Sequence, residues 1–157
     1  MRLEYFQLVD RVVDLNLADR TICAEAKIPA ESTVFEGHFP GYPLMPGVLL
    51  IEAMAQTSGW LVVAAKGFER MPFLASVKDA KLRTFVMPGQ VLMIESHLAH
   101  DGSGFAVMEA KIKRDSKVIC DATLTLRVLD FPNAEMAGQM RANAVRLGLN
   151  LEAAADV

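Results

Sequence analysis

A chain of 157 residues, of which 52% are hydrophobic and 22% charged, has the length of one domain and enough apolar side chains for a substantial core. Its formal net charge of −3 argues against a nucleic-acid-binding protein, because phosphate contacts require a basic surface. Residues 1–5 lack the apolar stretch of a signal peptide, and Cys23 and Cys120 lack metal-ligand spacing, which together favour a cytoplasmic protein with two reduced thiols.

The first distinctive segment is a loop at residues 36–47 that contains three prolines, three glycines and one histidine, His38. Proline fixes its own φ angle and disfavours helix at the preceding residue, while glycine adopts backbone conformations closed to other residues. We therefore expect a stiff loop that holds the imidazole of His38 in one place, where it can accept a proton near neutral pH. The alternative is a histidine that only holds backbone groups in position, which would be the better interpretation of an isolated loop histidine.

A helix is predicted from residue 48 to residue 66, since Pro46 suits a first helical turn and no proline follows until after the apolar stretch. Apolar residues occupy every side of its helical wheel, which is typical either of a membrane span or of the central helix of a fold. Polar residues interrupt the stretch, the rest of the chain has the patterns of strands, and no second span follows. We therefore expect a buried central helix and no integral membrane segment.

Glu52 is the single carboxylate in this apolar helix. It lies four residues before Gln56, so the two side chains share a helix face and the amide can hold the carboxyl in one orientation. One interpretation is that Glu52 lies hydrogen-bonded and inert in a subunit interface. The stiff loop carrying His38 favours another, in which an imidazole and a carboxylate act together in proton transfer.

The second half of the chain predicts an antiparallel meander. Alternation of apolar and polar residues indicates a sheet with one wet face, and clusters of Gly, Ser, Asp and Arg mark the turns. His97 and His100 lie at a strand end and are interpreted as solvated. The predicted strands cover residues 91–99, 105–112 and 118–128.

A further helix is predicted after residue 131, with Asn133 as its cap and a narrow apolar stripe that packs on the sheet or on a neighbouring subunit. The alanine-rich end at residues 152–157 is expected to be disordered. The sequence thus predicts a main domain at residues 1–131 and a helical extension with a flexible tail at residues 132–157.

The histidine loop and the start of the helix read Gly37-His38-Phe39-Pro40-Gly41-Tyr42-Pro43-Leu44-Met45-Pro46-Gly47-Val48-Leu49 and then Ile51-Glu52-Ala53-Met54-Ala55-Gln56. This stretch resembles, almost without interruption, the signature of the FabZ-type β-hydroxyacyl-acyl carrier protein dehydratases. Weaker similarity at residues 7–12, which resemble the family's opening strand, and at residues 75–89, which resemble the strand after the helix, extends the resemblance over about residues 5–129.

This resemblance implies an α+β hot-dog fold, in which a long central helix is wrapped by an antiparallel β-sheet, here with an added C-terminal helix. It implies a homodimer or a trimer of dimers. It also implies a hydro-lyase that converts a (3R)-hydroxyacyl thioester, carried on the phosphopantetheine of acyl carrier protein, to the trans-2-enoyl product in fatty acid biosynthesis. No metal or other cofactor is called for. The sister family that also isomerises the double bond typically has aspartate at the position of Glu52 and tryptophan at that of Ala55, so the resemblance favours the simple dehydratase.

By the same resemblance, His38 and Glu52 are the catalytic residues and come from opposite subunits of a dimer. We hypothesise that the carbonyl of Leu44 holds one ring nitrogen of His38, and that Gln56 supports Glu52.

The N-terminus of the central helix is expected to bind the thioester carbonyl. The backbone N–H of Gly47 or Val48 would face the carbonyl oxygen as negative charge develops there. The absence of a β-carbon at Gly47 would let the thioester approach closely. The substrate tunnel should be apolar, with Leu50, Met54, Met71 and Phe73 as candidate lining residues.

Several positions depart from the family's usual pattern. Lys78 replaces an acidic residue, Gln90 replaces an aspartate, and the basic stretch is reduced to Lys81 and Arg83. Lys81 and Arg83 share a strand face, whereas Lys78 points the other way unless a bulge intervenes. We expect Lys81 and Arg83 to dock the acidic carrier protein, the alternative being ordinary solvated charge. With residues 130–157, these departures suggest a specialised member that serves a dedicated carrier or a very long acyl chain, although housekeeping elongation is the simpler interpretation.

Two other functions are compatible with a hot-dog fold. A thioesterase would use a carboxylate to activate water and release the free acid, but the Gly-His-Phe-Pro loop argues against it. A non-catalytic protein that binds the acyl carrier is the second alternative, and the presence of both His38 and Glu52 argues against that one.

Overall fold

The computed structural model describes residues 1–151, so the predicted flexible tail at residues 152–157 lies outside the described residues. After a 3-10 turn at Leu3–Tyr5, the elements are β1 (Arg11–Asn16), β2 (Thr21–Lys27), α1 (Thr33–Gly37), α2 (Gly47–Ala65), β3 (Arg70–Leu82), β4 (Val91–Gly102), β5 (Phe105–Arg114), β6 (Lys117–Asp130) and α3 (Ala134–Arg146).

One antiparallel sheet of six strands, in the order β1-β2-β4-β5-β6-β3, wraps around α2. Every second residue along the central strands faces α2 and is buried, as the alternating pattern predicts, and the residues between them carry the charges of the outer face. A long helix wrapped by an antiparallel sheet is the hot-dog arrangement, so the predicted α+β class is confirmed.

The two strands expected from the resemblance are displaced in the structure. The opening strand begins at Arg11 rather than at residue 7, because Leu8 and Val9 are buried and the N–H of Leu8 donates to the side chain of Gln56 instead of to a ladder. The strand after the helix, expected at residues 75–89, is β3 and ends at Leu82. β3 begins at Arg70, before the expected residue 75, and therefore contains Pro72. A proline is tolerated there because one edge of β3 has no partner strand.

α2 begins at Gly47 with Pro46 as its N-cap, close to the predicted start. By length and composition it could cross a membrane, but most of it is buried within the fold, and it packs against five of the six strands. This burial is the arrangement expected of a central helix.

β3 is the exposed edge of the sheet. It is 13 residues long and pairs only with β6, and its large apolar side chains Phe73, Leu74, Val77 and Leu82 are each 40–48% exposed. A long apolar edge strand is normally covered along its free side in a stable protein, because the unpaired N–H and C=O groups on that side favour pairing with another chain.

α3 packs against the same core as the rest of the chain. Asn133 caps it, accepting a 2.8 Å hydrogen bond from the N–H of Met136, as predicted. Ala144 and Leu147 are buried, and the carbonyl of Leu147 accepts a 2.7 Å bond from the N–H of Val12 in β1. The predicted stripe therefore faces its own domain.

A buried hydroxyl pair joins α2 to the sheet and provides a test of the packing. The Oγ atoms of Ser58 and Ser96 are 2.7 Å apart, and both side chains are buried. Ser58→Ala should lower the free energy of unfolding by about 1–3 kcal/mol, because it leaves the hydroxyl of Ser96 buried without a partner. The double variant with Ser96→Ala should be less destabilised than the two single losses combined, as measured by urea unfolding. Additive losses would show that the pair does not act as a unit.

Candidate active site

His38 lies where α1 ends and the loop of prolines and glycines begins. Its N–H donates to the carbonyl of Val34 at 3.0 Å and its carbonyl accepts from the N–H of Leu44 at 2.9 Å. Between these contacts, Phe39 and Tyr42 exchange backbone hydrogen bonds of 3.0 and 2.9 Å. The loop is therefore held by its own backbone, and the position of the imidazole is fixed at both sides.

The imidazole of His38 is oriented by two contacts. Its Nδ1 lies 3.1 Å from the carbonyl oxygen of Leu44, which is the contact hypothesised from the sequence, and its ring stacks on Phe39 with 4.0 Å between centroids. A carbonyl oxygen can only accept, so Nδ1 is the donor in this contact, and in the neutral ring Nε2 then presents a lone pair. The ring is thus arranged to accept a proton at Nε2.

A cavity of about 490 Å³ opens beside His38. Gly47, the first residue of α2, borders it, and the N–H groups of Gly47 and Val48 have no hydrogen-bond acceptor within residues 1–151. A β-carbon added at Gly47 would lie 2.4 Å from Cδ1 of Leu82, so any side chain at this position would displace Leu82. Apart from Gly47, the lining residues are His38, Leu44, Met45, Leu50, Leu82, Arg83, Thr84 and Phe85.

Glu52 is half-buried on another side of α2 and is held by Gln56. The Nε2 of Gln56 donates to Oε1 of Glu52 at 3.0 Å and to the carbonyl of Phe6 at 2.8 Å, while its Oε1 accepts from the N–H of Leu8 at 3.1 Å. The second carboxyl oxygen of Glu52 has no hydrogen-bond partner in the described part of the chain. The N-terminal segment thereby fixes the amide, and the amide fixes one oxygen of the carboxylate.

Glu52 borders a second cavity, of about 300 Å³, that does not include His38. Leu50 lines the first cavity and Glu52 the second. Side chains two residues apart on an α-helix point in directions that differ by about 200° around its axis. One chain therefore presents an imidazole and a carboxylate on nearly opposite sides of α2, in two separate half-sites. The second cavity is lined by Phe6, Gln7, Val9, Glu52, Ala55, Gln56, Gly59, Trp60, Val63, Met71, Pro72, Leu74, Leu126, Met140, Asn143, Arg146 and Leu147.

The predicted tunnel residues do not all lie at these cavities. Leu50 lines the cavity beside His38 and Met71 the one beside Glu52. Met54 lines neither, because it lies on the buried side of α2 with 0% exposure. Phe73 also lines neither, because it points to the opposite face of β3 from its neighbours along the strand.

The basic residues of β3 are rearranged by a bulge. Lys78 pairs with Thr123 and Lys81 with Asp121, with a register shift between them, so Lys78 and Lys81 share a face. Arg83 forms an ion pair with Asp121 and lines the cavity beside His38, whereas Lys81 borders a depression on the outer face of the sheet. Of the two predicted docking residues, Arg83 is the one beside the candidate site.

The cysteines and the other histidines lie away from both half-sites. Burial raises the pKa of the Cys120 thiol to about 11, and burial also raises that of Cys23, so both thiols are protonated near neutral pH and are poor nucleophiles. His97 faces solvent beside Glu109, with 3.7 Å between Nδ1 and Oε2, and His100 is exposed as well.

The sequence of the chain is similar to those of known proteins. Residues 2–123 match the FabA-like domain. The chain belongs to this family. The 3-hydroxyacyl-acyl-carrier-protein dehydratase FabZ of Francisella philomiragia is 36% identical over 138 residues, covering 80% of this chain and 85% of that protein. The enzyme of the same name from Francisella tularensis subsp. novicida is 35% identical with the same coverage.

Solved structures agree on the fold. The dehydratase heterocomplex ApeI:P from Xenorhabdus doucetiae has a TM-score of 0.62 at 20% identity, covering 86% of this chain and 89% of that chain. A hypothetical thioesterase with coenzyme A from Streptococcus pneumoniae has a TM-score of 0.60 at 19% identity, covering 78% and 88%. At these identities the likeness establishes the hot-dog fold alone.

Proposed function

We propose that this chain is a hydro-lyase that dehydrates 3-hydroxyacyl-acyl-carrier-protein in fatty acid biosynthesis. The observation that carries the proposal is the pair of half-sites in a FabA-like domain: an imidazole with a free Nε2 and a carboxylate held by an amide. The FabZ relatives at 35–36% identity support the substrate class. The cytoplasm is the proposed location, supported by two unpaired cysteines.

A homodimer would complete the site. In one chain His38 and Glu52 border different cavities on different sides of α2. The exposed apolar edge of β3 lies beside both cavities, since Leu82 borders the first and Met71 and Leu74 border the second. Pairing of two copies along this edge would cover its free backbone groups and bring His38 of one protomer towards the second cavity of its partner. A trimer of such dimers, the larger assembly implied by the resemblance, would be separated from a dimer by sedimentation.

The chemistry follows from the atoms left free in each half-site. Nε2 of His38 takes the α-proton of the thioester, and Glu52 of the partner positions or protonates the departing β-hydroxyl, directly or through a water molecule. The C–O bond breaks, a double bond forms between the α- and β-carbons, and water leaves. Proton transfer of this kind needs no metal or redox cofactor.

The N-terminus of α2 would stabilise the charge that develops on the thioester oxygen. The N–H groups of Gly47 and Val48 have no acceptor in the described part of the chain, and Gly47 borders the same cavity as His38. Donors fixed in advance at the position of developing charge usually make the largest electrostatic contribution to catalysis.

The reaction can be tested with purified protein and a 3-hydroxybutyryl carrier. Formation of the enoyl thioester, followed by absorbance, should occur without release of free thiol. Thiol release without enoyl formation would identify a thioesterase instead, and carrier binding without either product would identify a non-catalytic binding protein. Each outcome excludes the other two.

Carrier docking gives a prediction about substrate affinity. We propose that Arg83, at the cavity beside His38 and just after β3, and Lys81, near the end of β3, attract the acidic carrier protein. Arg83→Gln should raise the KM for carrier-bound substrate about three- to tenfold at low salt, and less at high salt, because exposed charges are screened. Lys81→Gln should have a smaller effect, since its side chain borders another depression.

The control for docking is a substrate without the carrier. Turnover of an N-acetylcysteamine thioester should be nearly unchanged in both variants, and Lys117→Gln, at the start of β6, should leave the KM for both substrates unchanged. Equal losses on carrier-bound and carrier-free substrate would point to an active-site defect and remove the docking proposal.

A further inference from the structure

The C-terminal helix forms one wall of the cavity beside Glu52. Four residues of the chain after β6 line that cavity, namely Met140, Asn143, Arg146 and Leu147. Their spacing places them along one side of α3 and its last turn. All four lie outside residues 2–123, the part of the chain that matches the FabA-like domain. This wall is therefore contributed by a segment that the family match does not include.

α3 is fixed at both ends, so the wall has a defined position. At its start Asn133 caps the first turn, and further along Nη2 of Arg141 donates to the carbonyl of Phe68, just after α2, at 3.4 Å. At its end the carbonyl of Leu147 accepts from the N–H of Val12 at 2.7 Å, and Leu147 is 2% exposed. α3 is thereby attached to the end of α2 on one side and to β1 on the other.

The opposite wall is a stripe of α2 that starts at Glu52. Its members recur every three or four residues up to Val63, a length of about 16 Å along the helix axis. Beyond Gln56 the stripe is apolar, and its members Trp60 and Val63 are buried and line the same cavity as residues of α3 and of the start of β3. An apolar groove that begins at a carboxylate and continues away from it has the chemistry of a site for an alkyl chain attached to a reacting polar group. Its volume of about 300 Å³ is at the lower end of the usual range for ligand cavities.

We propose that α3 closes the acyl end of this cavity and that Met140 sets the length of acyl chain that fits beside Glu52. The inference rests on the proposed dehydratase function and adds a specificity determinant to it. Met140 is half-buried, packs against the core and projects from the middle of α3 into the cavity wall. Its unbranched thioether side chain is flexible, so truncating or enlarging it changes the space available without removing a hydrogen bond.

Two variants of Met140 test the proposal in opposite directions. Met140→Ala should raise kcat/KM for a hydroxypalmitoyl carrier relative to a hydroxybutyryl carrier about tenfold, because it extends the cavity, and Met140→Trp should lower the same ratio about tenfold. The matched control is Val145→Ala on the same helix, where the side chain is 59% exposed and lines neither the cavity beside Glu52 nor that beside His38, and it should leave the ratio unchanged. Thermal unfolding should show that all variants are folded.

A binding measurement separates this proposal from the dehydratase function. The affinity of a non-hydrolysable palmitoyl-pantetheine amide, measured by calorimetry, should rise in Met140→Ala and fall in Met140→Trp even if no carrier is turned over. Absence of turnover in the wild type, with this order of affinities, would overturn the proposed reaction but support the acyl site. An unchanged length profile and unchanged affinities in folded variants would overturn the acyl site and indicate that another group, such as the loop of a second copy of this chain, occupies the cavity.

Discussion

His38→Ala should lower kcat for a 3-hydroxyacyl carrier by about a hundredfold or more, and Glu52→Ala should do the same. His38 supplies the lone pair of Nε2 that accepts the α-proton, and no other imidazole borders either cavity in the described part of the chain. Glu52 supplies the carboxyl for the departing hydroxyl. Because both act in the transition state, kcat and kcat/KM should fall together in steady-state assays of enoyl formation.

The controls for these variants lie on the outer face of the sheet. His97→Ala and Glu109→Ala remove a similar imidazole and a similar carboxylate from exposed positions on β4 and β5, and both variants should retain the activity of the wild type. Circular dichroism should show that all four variants are folded. Near-normal turnover in either His38→Ala or Glu52→Ala would remove that residue from the proposed mechanism.

The parts of the site that could be predicted are those that a short stretch of sequence determines. The stiff loop around His38, the start of α2 near Gly47 and the pairing of Glu52 with Gln56 all depend on residues within about a turn of one another, and local backbone and side-chain rules apply there. The meander of β4, β5 and β6 follows in the same way from alternation. Its strands extend beyond the predicted ends because pairing with neighbours continues past the last alternating residue.

The parts that could not be predicted depend on contacts between distant segments. Gln56 is held by Phe6 and Leu8, which are 50 and 48 residues away, and no local pattern indicates that contact. The bulge in β3 that turns Lys78 to the same face as Lys81 has no proline or glycine to indicate it. The docking of α3 beside Glu52 likewise depends on packing across the whole domain, although its apolar stripe and its cap were visible in the sequence.

The same distinction applies to the candidate tunnel residues, of which Leu50 and Met71 line cavities whereas Met54 and Phe73 do not. The sequence assigned the tunnel to the central helix and the strand after it, but which side chain of each element faces a cavity depends on their relative rotation. α2 turns Met54 towards the sheet and leaves Glu52 and Gly59 beside the start of β3, where Cγ of Pro72 lies close enough to touch a side chain added at Gly59. The rotation is set by burial of the most apolar side of α2, which no single residue reveals.

Mixing His38→Ala protein with Glu52→Ala protein should restore activity that neither has alone. If each site combines His38 of one protomer with Glu52 of its partner, a mixed dimer contains one intact site and one that lacks both groups. Random exchange in equal mixtures makes about half of the dimers mixed, so about a quarter of all sites become intact. Enoyl formation should therefore rise from about a hundredth to about a quarter of the wild-type rate after subunit exchange, which mass spectrometry of differently tagged protomers can verify.

A second mixture makes the same test in the opposite direction. When wild-type protein is exchanged with the double variant His38→Ala, Glu52→Ala, both sites of every mixed dimer lose one group, and only wild-type pairs remain active. Activity should then fall to about a quarter of that of unmixed wild-type protein at the same total concentration, whereas sites contained within one chain would leave about a half. The two half-sites on nearly opposite sides of α2 favour the quarter, because Leu50 and Glu52 of one chain border separate cavities. The contrary outcome is that subunit exchange is proven, the first mixture gains no activity and the second retains about half. His38 and Glu52 would then act within the same chain, and the shared site would be excluded.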